Sequence, residues 1–183
     1  MTKKQFFVRE IELPQGITAS FSDGIVSVKS KNSEVKKKFS LSEDYIRVEN
    51  HKLIIQTKKS TKTEKKTIGS VVAHLKNMIN GVVSGHKYIL KICSGHFPMN
   101  VVVSNNQLVI KNFFGEKVPR KLEIKLGVKV TVEGDNIHVE SIDKDLASQV
   151  SADIEQLTRR PGFDTRVFMD GIYIINKDGK ELK

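Results

Sequence analysis

The chain has 183 residues, enough for one domain or two small ones, and its 31 basic residues exceed its 21 acidic residues to give a net charge of +10. This charge favours nucleic acid as the partner, although membrane surfaces and acidic proteins also attract basic chains. A single cysteine excludes an internal disulfide, and the lack of a long apolar run or an apolar leader predicts a soluble cytoplasmic protein that does not enter a membrane.

The first 80 residues are dominated by short segments in which apolar and polar residues alternate, the pattern of half-buried strands. Asp23-Gly24 is a strong hairpin signal between two of these segments. The lysine-rich KKSTKTEKK at 58–66 is interpreted as a solvated loop. Apolar residues at helical spacing from Ile68 to Val82 then predict an amphipathic helix. Strands are predicted at 17–21, 25–30, 35–39, 45–48 and 53–57, after a strand-like lead at 1–13.

The second half repeats the order of short strands followed by one helix, and three of its segments are similar to segments of the first half. The similar pairs are SDGIVSVKS at 22–30 with SNNQLVIKN at 104–112, IRVENHKLIIQ at 46–56 with VTVEGDNIHVE at 130–140, and VVAHLKNMI at 71–79 with VSADIEQLT at 150–158. Their offset of about 80 residues is typical of a duplicated small domain and is too long for a solenoid repeat.

The predicted fold class is therefore α+β, with two tandem duplicated domains. Each domain is expected to hold a mostly antiparallel sheet with one helix packed on it. The domains are predicted at 1–82 and 83–183, with the second as the main RNA-binding domain. Strands of the second half are predicted at 86–94, 100–103, 107–111, 118–124, 128–132 and 136–140.

The stretch 143–175 is predicted to form a helix, a basic turn and a closing strand. Asp143 is suited to cap the helix N-terminus with its carboxylate. Arg159 and Arg160 are predicted in the last helical turn, where positive charge suits the helix dipole, and Pro161-Gly162 ends the helix. The apolar helix face is formed by Leu146, Val150, Ile154 and Leu157, and the closing strand 172–175 follows a turn at Asp170-Gly171.

Four passages resemble the archaeal and eukaryotic branch of the L-six family of large-subunit ribosomal proteins. They are QLTRR with DTRVFMDGIYI at 156–174, HLKNMINGVVSGHKYILK at 74–91, HFPMNVVV at 96–103 and NFFGEK at 112–117. The resemblance covers nearly the whole chain in order. It implies two related sheet-and-helix domains, no catalytic activity, and binding to large-subunit rRNA near the stalk base and the sarcin–ricin loop. The implied partners are neighbouring large-subunit and stalk-base proteins, with the chain as a monomer within the cytoplasmic ribosome.

The distribution of arginine decides which half is expected to make the defined RNA contacts. Residues 1–80 hold 16 basic and 8 acidic residues and residues 81–183 hold 15 and 13, yet four of the six arginines lie in the second half. The planar arginine fork binds phosphate with two parallel hydrogen bonds, whereas lysine is a mobile point charge. Arg159, Arg160 and Arg166 are expected to converge on one rim, unless one of them only caps helix carbonyls. The predicted RNA-binding residues are His96, Lys117, Arg120, Arg159, Arg160, Arg166, Lys177 and Lys180.

No platform for stacking single-stranded RNA is predicted from the aromatic residues. They make up 7% of the chain, tryptophan is absent, and Phe113-Phe114 is the only adjacent pair. NFFGEK at 112–117 is either a loop that touches RNA, with Lys117 and Arg120 supplying charge, or a turn under which one phenylalanine fills the core.

No cofactor, metal site or catalytic set is predicted. Cys93 and His96 have zinc-like spacing but lack a second ligand pair. Walker, dinucleotide and nucleophile-elbow motifs are absent from the sequence. Asp143, Asp145 and Asp153 lie near a helix start, where capping and the dipole explain acidic residues. An RNA-modifying enzyme and a basic protein-interaction module are the alternative functions.

Overall fold

The computed structural model describes residues 8–31, 33–39, 45–49, 51–57, 61–164 and 166–182. The chain divides into two compact units, Met1–Ser84 and Gly85–Lys183. Both units combine antiparallel strands with one α-helix, so the α+β class with duplicated halves is confirmed. Within the described residues, no helix is long and apolar enough to cross a membrane.

Within its described residues, the first unit contains two antiparallel three-stranded sheets and one long helix. The sheets have the orders β2-β3-β4 and β1-β6-β5. The predicted hairpin turn at Asp23-Gly24 is confirmed, since both residues have positive φ and connect β2 to β3. The elements are β1 (Val8–Glu12), β2 (Thr18–Ser22), β3 (Ile25–Lys29), β4 (Glu34–Lys38), β5 (Ile46–Glu49), β6 (Lys52–Gln56) and α1 (Lys62–Ser84).

The helix α1 begins earlier than the sequence pattern predicts. Lys62, Lys65 and Lys66 lie in its first turns, so the interpretation of 58–66 as a loop is wrong for these lysines; Lys58 and Lys59 lie outside the described residues. The physical reason is a cap: the Thr61 hydroxyl oxygen accepts a hydrogen bond from the Glu64 backbone N–H at 3.3 Å. Lysine and glutamate are also good helix formers, so polar composition alone did not exclude a helix here.

The second unit repeats the two-sheet plan and enlarges one sheet. Its sheets have the orders β10-β9-β8 and β11-β12-β7-β13-β14. Each half therefore carries two sheets, whereas one per half was predicted. The elements are β7 (His86–Cys93), β8 (Asn100–Ser104), β9 (Gln107–Lys111), a short 3-10 helix (Phe113–Gly115), β10 (Arg120–Glu123), β11 (Val128–Glu133), β12 (Asn136–Ser141), α2 (Lys144–Leu157), β13 (Gly171–Lys177) and β14 (Lys180–Glu181).

The duplication is visible in the strand orders. The meander β2-β3-β4 corresponds to β8-β9-β10, and β1-β6-β5 corresponds to β7-β12-β11. All three similar sequence pairs fall on corresponding elements: the β2–β3 and β8–β9 hairpins, the β5–β6 and β11–β12 hairpins, and the two helices. Strands β13 and β14 extend the second unit beyond the repeat.

The ends of α2 are set by two side chains. The predicted cap is confirmed, because the Asp143 carboxylate accepts a hydrogen bond from the Asp145 backbone N–H at 2.9 Å. The helix ends at Leu157, so Arg159 and Arg160 lie beyond its last turn. The prediction that they lie within that turn is wrong. Thr158 explains the early end: its hydroxyl donates to the Glu155 carbonyl and competes with continued helical bonding.

Candidate nucleic-acid interface

The C-terminal end of α2 is tied to the edge of β13 that does not pair with β7. The Thr158 hydroxyl oxygen accepts a hydrogen bond from the Ile172 N–H at 2.9 Å. Oε1 of Glu155 accepts another from the Ile174 N–H at 3.2 Å. Thr158 is buried, so without its hydroxyl the Ile172 N–H would have no hydrogen-bond acceptor, at a cost of about 1–3 kcal/mol. These bonds fix both ends of the arginine-bearing loop between α2 and β13.

Asp170 is a buried anchor at the end of this loop. Its carboxylate accepts hydrogen bonds from the backbone N–H groups of Gly95 at 2.6 Å and His96 at 2.9 Å, and from Nδ1 of His96. The prediction that Asp170-Gly171 forms a turn is wrong, because Gly171 begins β13 and Asp170 links that strand to the loop after β7. Three donors satisfy a charge that burial would otherwise make costly.

The electrostatics of Asp170 give a prediction for stability at acid pH. Burial raises the pKa of this carboxyl, but the hydrogen bonds from His96 and Gly95 outweigh burial and hold the pKa below its ordinary value of 3.8. A carboxylate with a lower pKa in the folded chain stabilises the fold above the unfolded-state pKa, and the contribution is lost as pH falls through the folded-state value. We expect Asp170→Asn to be less stable than the parent near neutral pH.

The difference between Asp170→Asn and the parent should begin to shrink below about pH 4, where the unfolded-state carboxyl becomes protonated, and should disappear once the pH falls below the lower folded-state pKa. Urea denaturation at a series of pH values measures the free energy of unfolding of both proteins. Parallel curves over the whole acid range would show that Asp170 does not stabilise the fold through its charge.

Four rings from three segments of the chain meet beside this loop, and we call His96, Phe114, Phe163 and Phe168 the aromatic cluster. The ring centroids of Phe163 and Phe168 are 5.2 Å apart, and those of His96 and Phe168 are 5.1 Å apart. Phe114 lies 5.9 Å from Phe163 and 6.1 Å from Phe168. Its neighbour Phe113 is 2% exposed, which confirms that one phenylalanine of NFFGEK fills the core.

The aromatic cluster was not predicted from the sequence. Its members are 18 to 72 residues from one another, apart from Phe163 and Phe168, so no local pattern of interleaved aromatic and basic residues marks it. Three of the four rings nevertheless lie in passages that carry the family resemblance, HFPMNVVV, NFFGEK and DTRVFMDGIYI. The family resemblance of these passages was therefore the available sequence signal for the aromatic cluster.

Arg160 and Arg159 lie beside the aromatic cluster. The Arg160 guanidinium carbon is 4.2 Å from the centroid of the Phe163 ring and 5.0 Å from that of Phe114, distances at which a cation is attracted to a ring face. Arg159 is exposed. Both arginines line a cavity of about 440 Å³ between the end of α2, the loop and the start of β13. The other lining residues include Phe114, Gln156, Phe163, Phe168 and Tyr173.

The structure brings together two of the three predicted rim arginines. Arg166 is on the same loop, but its side chain is 88% exposed, does not line the cavity, and forms two hydrogen bonds with Asp164 at 3.1 and 2.8 Å. Lys177 and Lys180 flank the β13–β14 turn at the far end of β13, roughly 20 Å along the strand from Asp170. They therefore do not extend the arginine rim.

The remaining predicted residues differ in how available they are to a ligand. His96 has a half-exposed imidazole within the aromatic cluster, and Lys117 is exposed. Arg120 is held by other groups: Nε and Nη2 donate to Glu116 at 2.9 and 2.6 Å, and Nη1 donates to the Leu157 carbonyl oxygen at 2.6 Å. Arg120 thus caps a carbonyl at the end of α2. This role was the alternative considered from the sequence for one of the loop arginines.

In the part of the chain that the structure describes, no group of three or more His, Cys, Asp or Glu residues is placed to hold a metal ion. Cys93 is half-buried, and Nδ1 of the His96 imidazole is hydrogen-bonded to Asp170. The arrangement offers cationic groups and π surfaces, which suit phosphates and nucleobases.

A basic α+β chain with arginines beside clustered aromatic rings has the features of the nucleic-acid-binding class. Residues 97–171, which include Phe97 and most of the cavity lining, match the family model described as Ribosomal protein L6. The large ribosomal subunit protein uL6 of Sulfurisphaera tokodaii is 42% identical over 170 residues, 92% of this chain and 91% of that protein.

Two further relatives are similar over most of both chains. The uL6 protein of Methanobrevibacter smithii is 41% identical over 92% of this chain and 95% of its own length. That of Aeropyrum pernix is 37% identical over 97% of this chain and 98% of its own length. The chain therefore belongs to the ribosomal protein L6 family, and the resemblance noted in the sequence is confirmed.

Proposed function

We propose that the chain is a structural constituent of the large ribosomal subunit that binds large-subunit rRNA near the stalk base and the sarcin–ricin loop. Its relatives are named large ribosomal subunit protein uL6, and the family is structural and not enzymatic. We place the chain in the cytoplasmic ribosome as a single copy, in contact with rRNA and with neighbouring large-subunit and stalk-base proteins.

The single observation that supports RNA binding most directly is that Arg159 and Arg160 both line the cavity. Both guanidinium groups lie on a loop whose ends are anchored by Thr158 and Asp170. Because these anchors hold the loop in place, little ordering remains to oppose binding when phosphates contact the arginines. We therefore propose the second unit, Gly85–Lys183, as the main rRNA-binding unit.

The other basic residues differ in how they contribute to RNA binding in this proposal. His96 belongs to the aromatic cluster, Lys117 follows Phe114 by three residues, and both extend the contact surface in this proposal. Lys177 and Lys180 meet the RNA backbone at a separate place. Arg120 supports the surface by holding the end of α2. The lysines of α1 in the first unit supply diffuse, salt-sensitive attraction. Among the residues that the structure describes, no observation favours an enzyme or a general acidic-protein receptor.

The test is retention on large subunits through washes of increasing salt. A subunit lacking this protein is mixed with the purified chain and sedimented through high-salt cushions. A structural constituent should remain at one copy per subunit, because many contacts hold it in addition to counterion release. Release at moderate salt, to the level of binding to bulk RNA, would mean that the chain is only a non-specific basic protein.

A further inference from the structure

We propose that the cavity beside the aromatic cluster binds one unpaired nucleobase of the RNA, stacked on the phenylalanine wall, while Arg159 contacts the adjoining phosphate. This inference rests on the proposed function and specifies what the site recognises. It assigns to the second unit a base-binding pocket in addition to a phosphate-binding surface.

The walls of the cavity have the chemistry that stacks on a base. Phe114, Phe163 and Phe168 line it, and the planar Arg160 guanidinium lies against two of their rings. Unpaired bases stack on aromatic side chains and on arginine planes, and every base has such a π face. Phe163 is 40% exposed, so part of its ring is open to a ligand although it borders the cavity.

The polar groups of the cavity are suited to the edge and the phosphate of a nucleotide. The exposed Gln156 carboxamide supplies a donor and an acceptor, which a base edge requires. The carboxylates of Glu155 and Asp170 also line the cavity, but both accept hydrogen bonds from backbone N–H groups. Their charge is therefore partly satisfied, and the two arginines set the preference for an anionic ligand.

An unpaired base fits the cavity better than other occupants. A base within an A-form duplex is paired and stacked between its neighbours, so its face is covered and the base cannot enter a cavity of this kind. An apolar protein side chain would use the phenylalanine wall but would leave the two guanidinium groups that line the cavity without an anion. The chain's net charge of +10 also favours a polyanion.

Hydrogen bonds hold two sides of the cavity in place. Its walls come from the end of α2, the loop after α2, Phe114 of the short 3-10 helix, and the start of β13. The hydrogen bond from Ile172 to Thr158 ties the end of α2 to the start of β13, and those from Gly95 and His96 hold Asp170 at the end of the loop. A pre-formed pocket binds its ligand without the entropic cost of ordering a loop at the moment of contact.

The experiment uses the full chain and an rRNA fragment that carries the stalk-base and sarcin–ricin regions, with 2-aminopurine placed singly at each unpaired position. We expect one position to change fluorescence on binding, because stacking in the cavity alters the environment of that base. Phe163→Ala should abolish this change and weaken binding about tenfold or more, since loss of one stacking partner has an effect of that order. The slope of affinity against salt should stay the same, because no charge is removed.

Phe97→Ala is the matched control, since Phe97 is 48% exposed in the same unit and does not line the cavity. This variant should bind like the parent. If the parent binds the fragment and Phe163→Ala matches Phe97→Ala in affinity and fluorescence, the base-binding inference is wrong while the proposed function stands. If the parent itself does not bind, the proposed function has failed. If Phe163→Ala binds the fragment normally but is lost from assembled subunits, a protein side chain fills the cavity, and this too overturns the inference.

Discussion

Replacing Arg159, Arg160 and Arg166 with alanine is expected to weaken binding of the rRNA fragment about 100-fold without unfolding the chain. Charge-assisted hydrogen bonds contribute about 1.5–3 kcal/mol each, so the loss of those from Arg159 and Arg160 accounts for the decrease in affinity of about 100-fold. Arg166 adds less, because its guanidinium must first leave Asp164. The substitutions remove no side chain from the apolar core, and the main structural loss is the packing of Arg160 against exposed or half-buried rings.

A variant that removes the same number of charges separates geometry from electrostatics. Lys62→Gln, Lys65→Gln and Lys66→Gln remove three positive charges from the first turns of α1. Both triple variants should show a shallower salt dependence, because they neutralise fewer phosphates and so release fewer counterions when they bind. Only the arginine variant should also lose most of its affinity at moderate salt, since the lysines are mobile point charges and the arginines lie on an anchored loop.

Filter binding over a series of salt concentrations measures both variants, and circular dichroism with thermal unfolding checks that they are folded. Equal affinity of the folded arginine variant and the parent would exclude the loop after α2 as the RNA-binding segment. The lysines of the first unit would then be the main RNA-binding residues.

The strands and helices were largely predictable because their signals are local. Alternation of polarity marks β3, with Val26 and Val28 buried, and the turn residues Asp23 and Asn105 adopt the positive φ that hairpins require. The duplication also appeared in the sequence, because corresponding hairpins keep similar patterns. The division of each half into two sheets did not appear, since strand pairing between distant segments such as β1 and β6 leaves no local mark.

The candidate site was predictable in its residue types and not in its assembly. The arginines after α2 were evident, but the rings that surround Arg160 come from distant segments that meet only in the folded chain. Asp170 shows the limit most clearly. Asp-Gly is a turn signal when only the neighbouring residues are considered, yet here the carboxylate is used by backbone groups 74 and 75 positions away. Long-range hydrogen bonds therefore override the local preference.

Arg120→Ala is expected to lower the free energy of unfolding by about 2–3 kcal/mol. The substitution removes the paired bonds to Glu116, the bond to the Leu157 carbonyl, and the stacking of the guanidinium 4.3 Å from the Phe113 ring centroid. The bonds from Arg120 also lower the pKa of the Glu116 carboxyl, which is the sign of a favourable interaction with its charged form. Because both side chains are partly exposed, solvent screens the ion pair, and most of the destabilisation should come from the uncapped carbonyl and the exposed ring face.

Two companion variants show whether Arg120 acts through its shape or through its charge. Arg120→Lys keeps the charge but not the planar fork, so it should remain destabilised in urea denaturation. Lys117→Ala removes a nearby exposed cation and should change stability by less than about 0.5 kcal/mol while lowering the salt slope of RNA binding by about 1. Full stability of Arg120→Lys would contradict the capping role. Loss of RNA affinity in a stably folded Arg120→Ala protein, equal to that of the loop arginines, would instead make Arg120 a direct RNA-binding residue, because a residue that only holds α2 in place affects binding through the fold.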